Sequence, residues 1–330
     1  MLKNIEIIDY KCFKDFKLDG LSQINIISGG NNVGKTALLE VLFVENHINK
    51  SIPFPEFISP FIKISKNRDV NDNKLEKYLK NIKYLIKKDN HSIKIEYKNK
   101  NSLNNNEKDL VNKLNQDYED FIVLNFKNKN LLSLKPINNI NIQNLQTNYI
   151  NSSKPTNKEL VRLYSEIQTK GIQHKFLEYL QILDKNIALL EPQLLDDELL
   201  LRVNLKNPEI SLISSELGEG TNRYMEILAT LLSNSNGSIF IDEIENGIHY
   251  SKLKEICKAI IEIVQKENIQ LFVTTHDKET IEAFSEACEE VGYKDMSSVE
   301  LYKDEQNNIE SIVRNNKQFI ATVDSGMDIR

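Results

Sequence analysis

The stretch Gly29-Gly30-Asn31-Asn32-Val33-Gly34-Lys35-Thr36 constrains this chain more than any other. It satisfies the pattern G-x-x-x-x-G-K-[ST], and it stands between a short apolar run, Ile24 to Ser28, and a helix-forming run, Ala37 to Phe43. Such a loop needs a strand to deliver it and a helix N-terminus to follow it, so an α/β protein is expected. Glycines let backbone N–H groups turn inward around phosphate oxygens, and the helix terminus adds partial positive charge. Lys35 is expected to reach the β- and γ-phosphates, and Thr36 to offer its hydroxyl to Mg²⁺. Gly29, Asn31, Asn32, Val33, Gly34, Lys35, Thr36 and Ala37 are thus the expected phosphate-loop contacts. With only 11 glycines in the chain, a chance match is on the order of one in a hundred.

Kinases, GTPases and ATPases all use such a loop, and a second, acidic strand end separates them. Ser238 to Ile241 is an apolar run that empties into Asp242-Glu243. At the end of a buried strand beside the loop strand, Asp242 is expected in the Mg²⁺ shell and Glu243 as the base that orients and deprotonates water. Lys35 and Asp242 lie 207 residues apart (242 − 35), too far for a compact GTPase or small-molecule kinase and suited to an ATPase with an inserted lobe. Ser251 to Lys266 carries Leu253, Ile256, Ile260, Ile263 and Val264 at helical spacing, and Gln270 to Thr274 reads as the next strand. This βαβ unit sets His276 at the carboxyl edge of a neighbouring strand, where ligands of open α/β sheets bind. There it is a candidate donor to the γ-phosphate.

Between residues 49 and 192 the text changes to Asn, Lys and Ile, with runs such as Asn104-Asn105-Asn106. This segment is read as an inserted lobe of helices and strands, and residues 1–48 and 193–330 as one split nucleotide-binding domain. Ser92 to Tyr97 and Phe121 to Phe126 read as strands. Leu75 to Lys88 and Lys158 to Leu190 read as helical, the latter through Leu163, Ile167, Phe176, Leu177, Leu180 and Leu183. Residues 61–135 carry 17 Lys/Arg against 10 Asp/Glu, whereas residues 176–330 carry 14 against 29. The basic block is either a contact surface for DNA or a protein partner, or a lysine-rich solvated insertion. Cys12, Cys257 and Cys288 have neither CxxC nor Cys/His spacing, so neither a disulfide framework nor a structural zinc is expected. No apolar run approaches the roughly 18 residues of a membrane helix and no secretory h-region opens the chain, so a cytoplasmic protein with no membrane partner is expected.

With these elements placed, the chain resembles the ABC-type, AAA-family ATPases of the SMC, RecF and OLD (overcoming lysogenisation defect) group. Asn4 to Phe16 looks like their opening strand and turn. Ile241-Asp242-Glu243-Ile244-Glu245-Asn246-Gly247-Ile248-His249 is similar to their extended Walker B with its E-x-G-L-H tail, and Thr274-Thr275-His276 to their switch histidine. The resemblance covers about residues 1–45 and 200–330. It implies a P-loop NTPase of ABC/SMC-like type, a mixed sheet with flanking helices and an inserted α+β lobe. It also implies a signature loop that completes the partner subunit's ATP site. Leu217-Gly218-Glu219-Gly220-Thr221 fits that place, with Gly218 standing 24 residues before Asp242 (242 − 218). Gly218 replaces the serine of the transporter form Leu-Ser-Gly-Gly-Gln, which argues against a transporter motor. Arg223 either supplies compensating charge there or pairs with Glu219 or Glu226. His249 either helps build a dimer seam or is a capping or core histidine.

The resemblance implies ATP and Mg²⁺ as ligands and leaves two functions in competition. In the first, the chain is an ATP-hydrolysing switch that forms a homodimer or higher oligomer around ATP, as sensor or regulator in a bacterial antiphage or toxin–antitoxin-like system. OLD nucleases carry a TOPRIM nuclease domain. Residues up to Arg330 are read as finishing the ATPase lobe, so a separate effector protein is expected, a TOPRIM-type nuclease being one option. In the second, a RecF- or SMC-type repair ATPase binds duplex DNA through the basic lobe, with affinity falling steeply with salt. A scaffold that binds ATP without turnover is disfavoured because Lys35, Thr36, Asp242, Glu243 and His276 are all present.

Overall fold

The computed structural model describes residues 1–48, 83–88, 91–113, 120–126, 129–134, 148–195, 198–207 and 209–329. Its strands are β1 (Asn4–Tyr10), β2 (Phe13–Asp19), β3 (Ile24–Gly29), β4 (Lys83–Lys88), β5 (His91–Asn99), β6 (Asp120–Phe126), β7 (Lys129–Leu134) and β8 (Tyr149–Ile150), then β9 (Ile187–Leu195), β10 (Glu198–Leu205), β11 (Ile210–Ile213), β12 (Ser238–Ile241), β13 (Gln270–Thr274), β14 (Met296–Lys303) and β15 (Ile309–Asn315). The helices are α1 (Lys35–Ile48), α2 (Asn105–Lys113), α3 (Asn157–Thr169), α4 (Gln173–Leu180), α5 (Glu219–Ser233), α6 (Tyr250–Lys266), α7 (Lys278–Val291) and α8 (Asn316–Asp324).

The loop strand β3 lies inside a six-stranded sheet of order β15-β14-β3-β13-β12-β8. All neighbours pair in parallel except β14 and β15, so the sheet is mixed. Its central strands are buried on both faces, as parallel strands under helices must be. The two-residue pleat sorts their side chains. Ile239 and Ile241 of β12, Leu271 and Val273 of β13, and Ile24 and Ile26 of β3 enter one core, which α3 to α8 cover. Phe240, Phe272 and Ile27 point to the other face, into a core made with α1 and the β1–β2 hairpin. The Phe240 and Phe272 rings stack there with centroids 5.1 Å apart. The α/β P-loop architecture expected from the sequence is present, with all parallel strands delivering their carboxyl ends to one edge.

Strand order differs from the sequence reading in one respect that matters for the site. Asp242 does not follow a strand directly beside β3, because β13 lies between β3 and β12. Helix α1 crosses over β13 and β12, which brings Thr36 to Asp242 despite the intervening strand.

The middle of the chain is also apportioned differently. Strand β8 pairs with β12, Phe240 opposite Tyr149 and Ile241 opposite Ile150. Leu160, Val161, Leu163 and Ile167 of α3, with Phe176 and Leu180 of α4, belong to the same core as the parallel strands. Residues 148–192, read above as part of the inserted lobe, therefore share the sheet and core of the nucleotide-binding unit. Conversely, β1 and β2 join β4 to β7 in an antiparallel sheet of order β2-β1-β4-β5-β6-β7. Lys83 to Lys88, within the segment read as helical, is the strand β4 that pairs with β1 and β5; residues 75–82 lie outside the described residues. A short apolar run fits both periods, and the free edges of β1 and β5 decide it. The single helical stripe read over Lys158 to Leu190 is broken at Gly171, whose φ of 68° ends α3, and Ile187 to Leu190 run in β9. The strands read at Ser92 to Tyr97 and Phe121 to Phe126 are β5 and β6.

Candidate functional site

The loop Gly29 to Thr36 runs from the end of β3 into the first turn of α1. Gly34 has φ 93°, and a Cβ there would stand 2.6 Å from Cys12 Sγ on the β1–β2 turn. Only glycine satisfies both the left-handed backbone and that close approach. Asn32 also takes a left-handed conformation, φ 60°, which asparagine tolerates. Val33 and Ala37 are buried in the core beneath the loop, so they can meet a phosphate through backbone N–H groups alone. Lys35 Nζ donates to the carbonyls of Gly29 and Gly30, 2.8 Å each, and curls over the loop. Burial lowers its pKa, while Glu243, Glu245 and Asp242 oppose the shift.

Asp242 ends β12 and is 4% exposed. Thr36 Oγ1 lies 3.1 Å from both of its carboxylate oxygens. Thr274 Oγ1, at the end of β13, donates to Asp242 Oδ1 at 2.6 Å. Burial raises the Asp242 pKa; the Thr274 and Thr36 hydroxyls counteract it, and Glu243 and Glu40 add to it. The Thr274 hydroxyl also accepts from Glu243 N at 2.8 Å. That bond helps hold Glu243 at φ 49°, a strained conformation for a residue with a long side chain. The Glu243 carboxylate accepts from Asn246 Nδ2 at 2.9 Å through Oε2.

His276 follows β13 and precedes α7, whose N-cap Asp277 accepts from Thr280 N at 3.0 Å. The Glu245 carboxylate accepts from His276 N at 3.1 Å and lies 3.3 Å from His276 Nδ1, whereas Glu243 Oε1 is 4.0 Å from that nitrogen. Burial raises the Glu245 pKa against the hydrogen bonds it accepts. The structure thus gathers Lys35, Thr36, Asp242, Glu243 and His276 at one sheet edge.

A family model described as "AAA domain, putative AbiEii toxin, Type IV TA system" matches residues 24–282, a span that holds every residue of this cluster. The chain belongs to this AAA-domain family. The AAA domain is also similar to an "ATP/GTP phosphatase" of Helicobacter pylori (strain ATCC 700392 / 26695), 23% identical over 335 residues that cover 88% of this chain and 89% of the relative. It shares its fold with an SMC head bound to the C-terminal winged-helix domain of ScpA: TM-score 0.52, 12% identity, 95% of this chain and 97% of that one covered. The SMC head domain from Thermotoga maritima aligns at TM-score 0.44 and 12% identity, over 95% of this chain and 98% of that chain. The AAA domain is an ATPase.

Within the AAA domain the remaining expected residues fall elsewhere. Gly218 is the N-cap of α5, and Glu219, Gly220 and Thr221 form its first turn, with Leu217 packed against the core. Among the described residues no hydrogen bond joins Leu217 to Thr221 with the loop Gly29 to Ala37. A Cβ at Gly220 would collide with the Gly247 carbonyl, so the start of α5 sits directly on the turn that follows Asp242 and Glu243. His249 caps α6, its Nδ1 accepting from Ser251 N at 3.3 Å.

Arg223, one turn into α5, is 2% exposed. It donates to the carbonyls of Asn151 (2.5 Å) and Asp242 (2.6 Å) and pairs with Glu226 at 3.2 Å. It therefore braces the Walker B turn from inside the protein. Of the two readings of Arg223, pairing with Glu226 is the one the structure shows, whereas its carbonyl partners were not foreseen and Thr274, Glu245 and Asn246 had been given no role. An acid at 245 and a hydroxyl at 274, flanking the recognised residues, were the available signals.

Proposed function

We propose that the chain is a nucleotide-driven switch in which two copies enclose two ATP molecules, each bound by the loop Gly29 to Ala37 of one copy and by Leu217 to Thr221 of the other. Glu243 is the base that orients and deprotonates the attacking water, Lys35 binds the phosphates and His276 senses the γ-phosphate. The hydroxyl–carboxylate pair Thr36–Asp242 carries this reading. A buried carboxylate whose closest polar contacts are two hydroxyls offers hard oxygen donors of the kind Mg²⁺ prefers. Among the described residues no group of three or more His, Cys, Asp or Glu forms a metal cage, which suits an ion held mainly by phosphates and water. Mg²⁺ there would be held by Thr36 and Asp242 and would neutralise charge on the phosphates.

Geometry supports these roles. The ammonium of Lys35 now rests on two carbonyls, contacts that phosphate oxygens would replace with stronger, charge-assisted ones. Glu243 is kept in a fixed position by Thr274 at its backbone and by Asn246 at its carboxylate, so little ordering remains to be done at the moment of reaction. The partly exposed first turn of α5, which makes no hydrogen bond to the loop Gly29 to Ala37 of its own chain among the described residues, could present N–H groups to a second copy's phosphate. The proposed unit comprises residues 1–48 and 193–330 together with 148–192, because β8, α3 and α4 share its sheet and core.

The cellular role we propose is that of an OLD-like sensor or regulator in antiphage defence or a toxin–antitoxin-like system, acting on a separate effector, with the TOPRIM-type nuclease as the specific candidate. Membership of a family described as a putative type IV toxin–antitoxin toxin supports the toxin–antitoxin part of this reading. The basic block 61–135 and the SMC-head fold favour the RecF/SMC alternative.

One experiment separates them. The Glu243→Gln protein is sized with ATP and Mg²⁺, with and without duplex DNA and with and without the product of the adjacent gene. An ATP-dependent dimer that retains the neighbour supports the switch with an effector. A monomer with ATP overturns the sandwich, and DNA binding by this variant that falls steeply with salt, together with DNA-stimulated ATPase of the wild-type protein, moves the assignment to the alternative.

A further inference from the structure

We infer that Glu245 is a positioning residue that holds His276 with the ring proton on Nδ1, leaving Nε2 as a proton acceptor toward the nucleotide until a second proton arrives. The inference rests on the reading of this site as an ATPase centre, and it changes what the histidine can do there.

One Glu245 carboxylate oxygen accepts the backbone N–H of His276 and also faces Nδ1 at 3.3 Å. An ionised Glu245 can only accept at that oxygen, so the approach favours the ring tautomer with its proton on Nδ1. A neutral imidazole carries one proton, which leaves Nε2 an acceptor. Among the described residues Nε2 has no protein hydrogen bond, and the side chain is 49% exposed. Glu245 is itself fixed, with its carboxylate only 10% exposed. Its second oxygen, Oε2, is buried without a hydrogen-bond partner among the described residues. A rigid, half-satisfied carboxylate beside a half-exposed imidazole orients the ring and does not merely neutralise it.

The consequence is chemical. A neutral His276 meets the nucleotide with a lone pair, so it repels a γ-phosphate oxygen and suits the hydrogen of a water molecule. To donate to the phosphate it must take up a proton from solvent at Nε2. The imidazolium would then sit between Glu245 and Glu243, 3.3 and 4.0 Å from Nδ1. Lys35, the other charged group of the edge, feels the same two carboxylates.

The test reads the tautomer directly on the nucleotide-free full-length protein, by long-range ¹H–¹⁵N correlation of the imidazoles, with His276 assigned by its loss in His276→Asn. The expected result for the neutral ring is the Nδ1–H form, shifting toward the Nε2–H form in Glu245→Ala. A wild-type ring in the Nε2–H form, or a spectrum unchanged in Glu245→Ala, overturns the inference. Kinetics give a second reading. Glu245→Ala should lower kcat about 10- to 100-fold, the loss typical when the group orienting a functional histidine is removed. KM for ATP should change little, and the acidic limb of the pH–rate profile should move. His276→Asn, whose amide can still donate to Glu245, should keep wild-type thermal stability, while His276→Leu should not. If Glu245→Ala is poorly folded, Glu245→Gln and the histidine pair still decide. Because the tautomer is measured without nucleotide, failure of the ATPase reading would show as absent hydrolysis with the tautomer intact.

Discussion

Thr36 Oγ1 lies 3.1 Å from both carboxylate oxygens of Asp242, although the two residues are 206 positions apart in the chain. The contact closes the site between the first turn of α1 and the end of β12, across the width of β13. It also predicts which group fails first. Thr36→Val removes the hydroxyl at nearly constant volume. It should raise the Mg²⁺ needed for half-maximal hydrolysis at least about tenfold, whereas Thr36→Ser should stay near wild type. Metal titration of the steady-state rate checks this, and equal Mg²⁺ dependence in all three proteins would remove Thr36 from the metal shell.

Asp242 predicts a pH dependence whose sign can be fixed. Burial raises its folded-state pKa above the ordinary value of 3.8, so the charged form is disfavoured in the folded protein. The destabilisation is fully present above the folded pKa and is relieved as pH falls through it. Asp242→Asn should therefore melt above wild type at pH 7.5 without nucleotide or metal, and the gap should narrow as pH falls. The same variant should lose hydrolysis. Melting curves between pH 7.5 and 5 decide it, and a gap that widens toward acid contradicts the assignment.

Glu243→Gln keeps the shape and the Asn246 contact of the side chain while removing the base. Turnover should fall about 10²- to 10⁴-fold, with ATP affinity unchanged or tighter. Single-turnover hydrolysis is the measurement, and wild-type turnover would mean that another group takes the proton.

Arg223 is a buried cation whose partners are mostly backbone carbonyls. Truncation to alanine leaves the Asp242 and Asn151 carbonyls without a donor, and loss of one partner from a buried charged network costs about 3–5 kcal/mol. Lysine should not restore it, because one ammonium cannot span acceptors on β12, β8 and α5. Denaturant unfolding of Arg223→Ala and Arg223→Lys tests this, and a lysine variant as stable as wild type would show that charge alone suffices.

Gly220→Ala would force a Cβ into the Gly247 carbonyl and push the start of α5 off the Walker B tail. Nucleotide binding to the isolated subunit should survive, since Lys35 and Thr36 are untouched. ATP-dependent dimerisation should be lost. Light scattering with ATP, in the Glu243→Gln background, reports it.

The residues proposed to handle phosphate were legible in the chain because their placement is local. Gly29 to Thr36 needs a strand before it and a helix after it, and both lie within about twenty residues. Asp242 and His276 were legible for the same reason, each ending an apolar run. Periodicity failed where a segment's partner was remote. Lys83 to Lys88 became a strand because β1 and β5 offered hydrogen-bonding edges, and no window of sequence around residue 85 contains β1.

By itself, then, the sequence determined the P-loop, the acidic strand end, the position of His276 after its strand and the α/β class, all carried by contiguous stretches. Tertiary structure alone decided that β13 separates β3 from β12, and that β8 and α3 belong to the nucleotide-binding unit. It alone aimed Arg223 at the Asp242 carbonyl and set Glu245 against His276. Those relationships join residues 19 to 206 positions apart, and strand order and helix crossing bring them within hydrogen-bonding reach, neither of which spacing encodes.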